Sequence, residues 1–358
     1  MMNPTGTYMD DLAVAGAGAA ASGFLNGKRV LITGATGLIG SFLADALLAL
    51  NASHGAGVEI YAAGRSEAGI RRRFGQAMED ARFHFVPYDA TKPAAFDFEA
   101  DFIVHAACAA HPMAYATDPV GTMQANLLGT MGLLEYLRAQ KGGRLLLLST
   151  GETYGENPDL EGGFRETDYG YINPMNPRAC YPESKRAAET LCASYAAQHG
   201  VSALVARLCH VYGPTFTPQN SRADAQFLRN VLRGEDIVMK STGAQVRSWC
   251  YVADAASALL LLLERGEAGQ AYNVANRGAV ASIRQYAETL ARLGGMALRF
   301  DLPPAVEQAG YTRITRAVLN PEKLEALGWQ PRYDLSAGLA HTLDALKAQS
   351  SGQGVDAR

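Results

Sequence analysis

Tyr181 and Lys185 stand four residues apart in Cys180-Tyr181-Pro182-Glu183-Ser184-Lys185-Arg186, at the head of a stretch with helical patterning. On a helix, residues i and i+4 share a face, so a phenol and an ammonium are directed at one place. A cation beside a phenol favours phenolate and lowers a pKa that starts near ~10, which makes Tyr181 a candidate proton acceptor near neutral pH. The same spacing also describes an ordinary helix with one half-buried ring and one solvated amine. Its meaning depends on what other elements bring to it.

A second feature lies far upstream. The apolar run Arg29-Val30-Leu31-Ile32-Thr33 leads into Gly34-Ala35-Thr36-Gly37-Leu38-Ile39-Gly40 and a helical Ser41 to Leu50, and a second apolar run, Val58 to Ala63, follows. This is a βαβ unit with a glycine turn. One glycine permits the tight turn, one lets the backbone approach a pyrophosphate, and one lets helix and strand pack closely. The helix N-terminus supplies amide donors to the phosphates. Gly34, Thr36, Gly37, Leu38, Ile39 and Gly40 are therefore candidate dinucleotide contacts, although the spacing G-x-x-G-x-x-G differs from the G-x-G-x-x-G fingerprint.

Strand-like runs recur at Phe83–Val86, Phe102–His105, Leu145–Leu148 and Ala203–Ala206, separated by helical patterns at Gly121–Arg138 and Tyr181–His199. Alternating β and α with uniformly apolar strands predicts an α/β fold, a doubly wound parallel sheet of the Rossmann type, with a smaller C-terminal α/β substrate-binding region. Ligands in such folds sit beyond the carboxyl ends of the strands. That rule selects Gly34–Gly40, Gly64-Arg65, Asp89, Ala106-Ala107, Ser149–Glu152 and Cys209–Gly213. We expect a flexible leader over residues 1–26, a dinucleotide-binding domain over 27–209 with a return segment near 246–278, a substrate-binding region over 210–245 and 279–348, and a flexible tail over 349–358.

Together the glycine loop, the strand-end Ser149-Thr150-Gly151-Glu152 and the Tyr181/Lys185 pair resemble the extended short-chain dehydrogenase/reductase family of nucleotide-sugar epimerases, dehydratases and decarboxylases. The resemblance runs from about Gly27 to Leu346. It implies that Tyr181 is the catalytic acid/base, that Lys185 holds the cofactor ribose and lowers the phenol pKa, and that Thr150 hydrogen-bonds the reacting sugar hydroxyl. It implies that Asp89 meets the adenine and that Asn126 stands behind the site. The homodimer faces it implies are the helices from Gly121 and Tyr181.

Within that family, the stretch Asn173 to Glu189 is similar to one in UDP-glucuronate decarboxylases. Arg222 and Arg247 match that group's arginines facing the nucleotide diphosphate, a role suited to bidentate guanidinium recognition, and Arg316 lies near its arginine for the sugar carboxylate. Tyr115, Glu183 and His210 complete the candidate substrate residues. Three departures bear on specificity: Gly151 stands where a hydroxyl or an acid is usual, His210 where an asparagine is usual, and Thr215 where an arginine is usual. Glu152 is the candidate base for C5, and it separates decarboxylation, epimerisation and 4,6- or 5,6-elimination. An NADPH-consuming ketoreductase and a non-catalytic nucleotide-sugar binding or redox-sensing protein are the alternatives. The cofactor implied is NAD; Gly64-Arg65, with no acidic residue at the end of the second strand, leaves NADP open.

Composition bounds the remaining classes. The 358 residues are 48% hydrophobic and 19% charged with a formal net charge of -3, which gives no reason to expect a nucleic-acid partner. Five cysteines without C-x-x-C spacing argue against a disulfide framework or a zinc site and suit a reducing, cytoplasmic compartment. No apolar run is long enough to span a bilayer, so no membrane partner is expected.

Overall fold

The computed structural model describes residues 6–108, 110–157, 162–302 and 315–353. Its centre is a sheet of seven parallel strands: β1 (Arg29–Thr33), β2 (Glu59–Gly64), β3 (Phe83–Pro87), β4 (Phe102–His105), β5 (Arg144–Thr150), β6 (Ser202–Leu208) and β10 (Ala271–Val274). Their spatial order is β10-β6-β5-β4-β1-β2-β3. The chain winds outward from β1 in both directions, so the order reverses between β1 and β4, where a doubly wound sheet opens its ligand crevice. Register sets the strand ends level: Thr33 lies opposite Ala63 and His105, and His105 opposite Leu147.

Successive residues of each strand serve opposite faces. Val30 and Ile32 pack with Phe42, Leu43 and Leu47 of α2 (Leu38–His54) and with Ala255, Leu259 and Leu262 of α8 (Val252–Arg265). Leu31, Ile103, Leu145 and Leu147 pack with Leu133, Leu134 and Leu137 of α5 (Pro119–Gln140) and with Ala188 and Cys192 of α6 (Cys180–His199). This two-sided burial is why the strands read as unbroken apolar runs. Each fully buried leucine contributes about 1.5–3 kcal/mol, so the sheet supplies a stiff frame for the loops at its carboxyl edge.

The N-terminal segment departs from the flexible leader expected of it. Residues Gly6–Ser22 form α1, whose Tyr8, Leu12, Ala15 and Ala19 recur at helical spacing and are buried against α2 and α8. Asp11, fully buried on this helix, accepts a hydrogen bond from the Tyr251 hydroxyl at 2.6 Å and pairs with His341 Nδ1 at 2.8 Å. An alanine- and glycine-rich sequence hides its amphipathic face because alanines bury area without standing out as hydrophobic, and a buried carboxylate inverts the expected pattern. At the other end, the helix Leu335–Gln353 runs through the first part of the expected tail. Residues 1–5 of the leader, 303–314 of the substrate-binding region and 354–358 of the tail lie outside the described residues.

The smaller region is built on β9 (Val246–Tyr251), which pairs with β7 (His210–Tyr212), β11 (Val280–Ser282) and β13 (Arg316–Ala317). Strands β8 (Ile237–Met239) and β12 (Leu298–Phe300) form a separate pair. The return to the main sheet is therefore made by α8 and β10, while β9, placed by sequence in the return segment, belongs to the smaller sheet. Among the described residues no helix is long and apolar enough to cross a membrane.

Candidate active site

Helix α6 starts behind a short 3-10 turn, Pro177–Ala179, whose first amides are capped by Asn176 Oδ1 accepting from Arg178 N at 3.0 Å. This start puts Tyr181 and Lys185 on the buried face of α6. Lys185 Nζ donates to the carbonyl of Leu148 on β5 at 2.8 Å. The Tyr181 ring stacks on Tyr115 of α4 (Pro112–Thr117), with centroids 4.6 Å apart and an interplanar angle of 16°.

Burial pushes the Tyr181 phenol up from its ordinary value, and Cys108 and Glu152 push the same way; Arg222 and a hydrogen bond with Thr150 pull it down. Arg222 is the cation that pulls the phenol down. Lys185, expected to act on it too, is buried and lowered by desolvation, its ammonium held at the β5 carbonyl and favoured by Cys108, Glu189 and Cys192.

Strand β5 delivers the next group. Thr150 ends the strand and caps the following 3-10 turn, its Oγ1 accepting from Glu152 N at 3.2 Å. The Glu152 carboxylate accepts from Arg178 Nη2 at 2.9 Å, and the Arg178 guanidinium lies 4.5 Å over the Tyr115 ring. At Gly151 an added Cβ would stand 3.1 Å from Leu319 Cδ2, a tight contact with the end of a leucine side chain.

A cationic end faces this cluster. Arg222, at the start of α7 (Ala223–Leu232), has its charge opposed by burial, but Asp224, Tyr115, Tyr181 and Glu152 outweigh that and raise it. Arg247 on β9 is buried and lowered by desolvation, with Glu152 acting against the shift. Burial, together with Arg222 and Arg247, pushes the His210 imidazole down to about 3, so it stands neutral beside two guanidiniums. Such a pair of arginines with a neutral donor or acceptor suits an anionic ligand. Thr215, in place of the family's arginine, donates from Oγ1 to the carbonyl of Leu38 at 2.7 Å, tying the substrate-side segment to the first turn of α2.

The loop before α2 fits a dinucleotide. Gly34 has φ of 67°, and an added Cβ would stand 2.7 Å from the Ala106 carbonyl; one at Gly40 would stand 2.5 Å from the Gly34 carbonyl. Only glycine allows this approach of β1, β4 and α2. Gly37 caps α2 without a side-chain hydrogen bond, which leaves the amides of Leu38, Ile39 and Gly40 to a phosphate. Ala107 N donates to Thr33 Oγ1 at 3.2 Å, closing the β4 side of the crevice. Asp89, expected at the adenine, accepts from Thr91 N at 3.0 Å and Thr91 Oγ1 at 2.8 Å, which hold its carboxyl below the ordinary range, with smaller help from Lys92 and exposed Arg65. Thr36 is exposed at the loop's outer edge.

Glu183 points back to Arg186 at 3.3 Å, and that arginine is bound to the carbonyls of Thr153 and Gly170, a brace for the chain entering α6. Arg316 is exposed on β13 opposite Val246, and no described contact joins it to the Tyr181 cluster. Asn126 of α5 donates to Ser184 Oγ at 2.8 Å, fixing α5 to α6 behind the phenol. Sequence reading passed over Cys108, which packs on Tyr115, Cys180 and Tyr181, and Arg178. The signal for Arg178 was its position three residues before Tyr181, in the turn that leads into the same helix.

Comparison with known proteins gives the family. Residues 30–275 match the profile of the NAD dependent epimerase/dehydratase family. The chain is 34% identical over 311 residues to UDP-glucuronic acid decarboxylase 3 of Arabidopsis thaliana, covering 87% of this chain and 86% of that protein. Among solved structures, the UDP-glucose 4-epimerase of Thermus thermophilus in complex with NAD superposes with a TM-score of 0.72 at 28% identity, over 89% of this chain and 99% of that one. The dTDP-glucose 4,6-dehydratase of Streptomyces venezuelae with NAD bound gives 0.75 at 25% identity, over 90% and 98%. With its glycine crevice and its Tyr181 cluster at the sheet's carboxyl edge, the chain belongs to the NAD-dependent epimerase/dehydratase family of enzymes.

Proposed function

We propose that the protein acts on a nucleotide-diphosphate sugar, oxidising it at C4, transforming it at C5 or C6 and reducing it again, and that the transformation is decarboxylation of a UDP-glucuronate-like substrate. The observation that carries this reading is the convergence of Thr150, Glu152 and Tyr181 with Arg222 and Arg247, a proton-transfer group facing a cationic end. Likeness over most of the chain to proteins named UDP-glucuronic acid decarboxylases supports the choice of decarboxylation.

In this reading the two arginines hold the diphosphate and place the sugar over Tyr181. Thr150 orients the C4 hydroxyl, and the Tyr181 phenolate takes its proton. The Gly34–Gly40 loop and Lys185 would hold NAD, which when bound would supply reversible hydride transfer. A carboxylate at C6 of the resulting 4-keto sugar leaves as carbon dioxide, its electron pair passing to C5, which takes up a proton from solvent. Gly151 supplies no acid at its position, which disfavours 4,6-elimination.

The test is to incubate the NAD-loaded protein with UDP-, GDP-, CDP- and dTDP-sugars and weigh the products. Loss of carbon dioxide from UDP-glucuronate is the expected outcome. An unchanged mass with inverted C4, loss of water, or a gain of hydride would replace it with epimerase, dehydratase or ketoreductase chemistry. Tyr181→Phe is expected to lower kcat by about 10²–10⁴-fold, and full activity in that variant would end the reading.

We further propose a cytoplasmic homodimer. Its support is the exposed stripe Val120, Met123, Leu128 and Met131 on α5, together with five free cysteines. Light scattering on the purified protein should return twice the chain mass, and Met131→Glu should halve it.

A further inference from the structure

Three flat groups lie in a row at the mouth of the site. The Arg178 guanidinium stands 4.5 Å over the Tyr115 ring, and Tyr115 stacks 4.6 Å from the Tyr181 ring. The same guanidinium binds the Glu152 carboxylate at 2.9 Å. Glu152 and Tyr181 thus sit on two sides of one cation–ring unit, and the carboxylate acts on the phenol directly, disfavouring its ionised form.

The ion pair is half in solvent, with side-chain exposures of 44% for Arg178 and 33% for Glu152. Pairs this exposed add little to folding stability, so the fold does not need it. Its chemistry suits another task. A guanidinium is planar and stacks on a ring while gripping a carboxylate, which an ammonium does poorly.

We propose that Arg178 is a positioning residue of this site: anchored on Tyr115, it fixes the Glu152 carboxylate and neutralises it, so that the carboxylate and the Tyr181 phenolate can occupy one cavity. The inference rests on Tyr181 being the proton acceptor. Other groups face the phenol as well: Cys108 from the segment after β4, Arg222 from the start of α7 and Thr150 from β5, while Cys180 packs in the same cluster. Around the Glu152 carboxylate stand Arg222 and Arg247 in addition to Arg178. Those two are assigned to the diphosphate; Arg178 is the guanidinium within hydrogen-bond distance of Glu152.

The experiment uses the full-length NAD-loaded protein with Arg178→Met, Arg178→Gln and Arg178→Lys, the first two also combined with Glu152→Gln. Tyrosinate absorbance against pH, taken as the difference from Tyr181→Phe, follows the phenol without any substrate. Loss of the guanidinium by either neutral substitution should move that titration up by about one unit, and kcat near neutrality should fall about tenfold, with a smaller effect on KM. Arg178→Lys should recover at least half of the shift. Each double variant should titrate with Glu152→Gln alone. The inference is overturned if Arg178→Gln and Arg178→Met titrate as wild type, or if removing Glu152 leaves their shift in place. Wild-type turnover in Tyr181→Phe would instead remove the assignment of Tyr181, while the titration still decides the role of Arg178. Should the methionine variant not fold, the glutamine variant decides alone.

Discussion

The Tyr115 hydroxyl is buried with no hydrogen-bond partner among the described residues, while its ring lies stacked 4.6 Å from the Tyr181 ring. A buried, unmatched hydroxyl costs about 1–3 kcal/mol, so this one awaits a ligand group. Tyr115→Phe is expected to leave Tm unchanged or slightly raised and to raise KM for the nucleotide sugar about 5–30-fold, the equivalent of about 1–2 kcal/mol. An unchanged KM would show that the hydroxyl touches no substrate.

Gly151 gives a test of the chemistry the site has given up. Gly151→Asp places a side chain against Leu319 and should lower stability by about 1–3 kcal/mol, the usual range for overpacking. It should not yield a dehydrated product. Pairing it with Leu319→Ala makes room, and recovery of Tm in the double variant checks that the clash is the cause.

Acid sensitivity follows from two neutral imidazoles. Burial pushes His105 down to about 3, with Lys185 adding, and His210 is likewise pushed down to about 3. Both folded values lie below the ordinary ~6.5, so the stability they carry is complete above pH ~6.5 and is lost as pH falls toward 3. In that window the unfolded chain binds protons that the folded chain refuses, and each histidine lowers stability by up to about 1.4 kcal/mol per pH unit. Denaturant midpoints measured from pH 7 to pH 5 should fall, and His210→Asn should flatten the slope. A slope that His210→Asn leaves unaltered would contradict the neutral assignment.

Asp11 holds α1 to the body. Asp11→Ala leaves the buried Tyr251 hydroxyl without its acceptor and part-buried His341 without its partner, a loss of about 3 kcal/mol. Thermal unfolding should begin about 4 °C lower. An unshifted Tm would mean that the helix packs without this carboxylate.

Much of the architecture was legible because it is written in local period and composition. The apolar runs at Val30–Ile32, Phe102–His105 and Leu145–Leu148 are strands buried on both faces, and the glycines at 34 and 40 stand where no other residue fits. The Tyr181 neighbourhood was legible in part: Thr150, Glu152, Tyr115, Arg222 and Arg247 converge, but which charge acts on the phenol depends on burial and on where Lys185 finds an acceptor, and no spacing carries that. The i+3 pairing of Glu183 with Arg186 is a contact that spacing alone does carry. Helix α1 was missed because small side chains and a buried aspartate conceal its face.

The hydrogen bond from Thr215 to the Leu38 carbonyl joins the segment that would bind substrate to the helix that would bind phosphate. One such bond is modest, about 0.5–1.5 kcal/mol, but it lies across the seam along which the two halves would part to release a dinucleotide. A fastener at that seam slows exchange without touching the reaction. It suits a catalyst that regenerates its oxidant at every turnover and has no need to let it go, so weakening the fastener should appear first as leakage of cofactor on dilution.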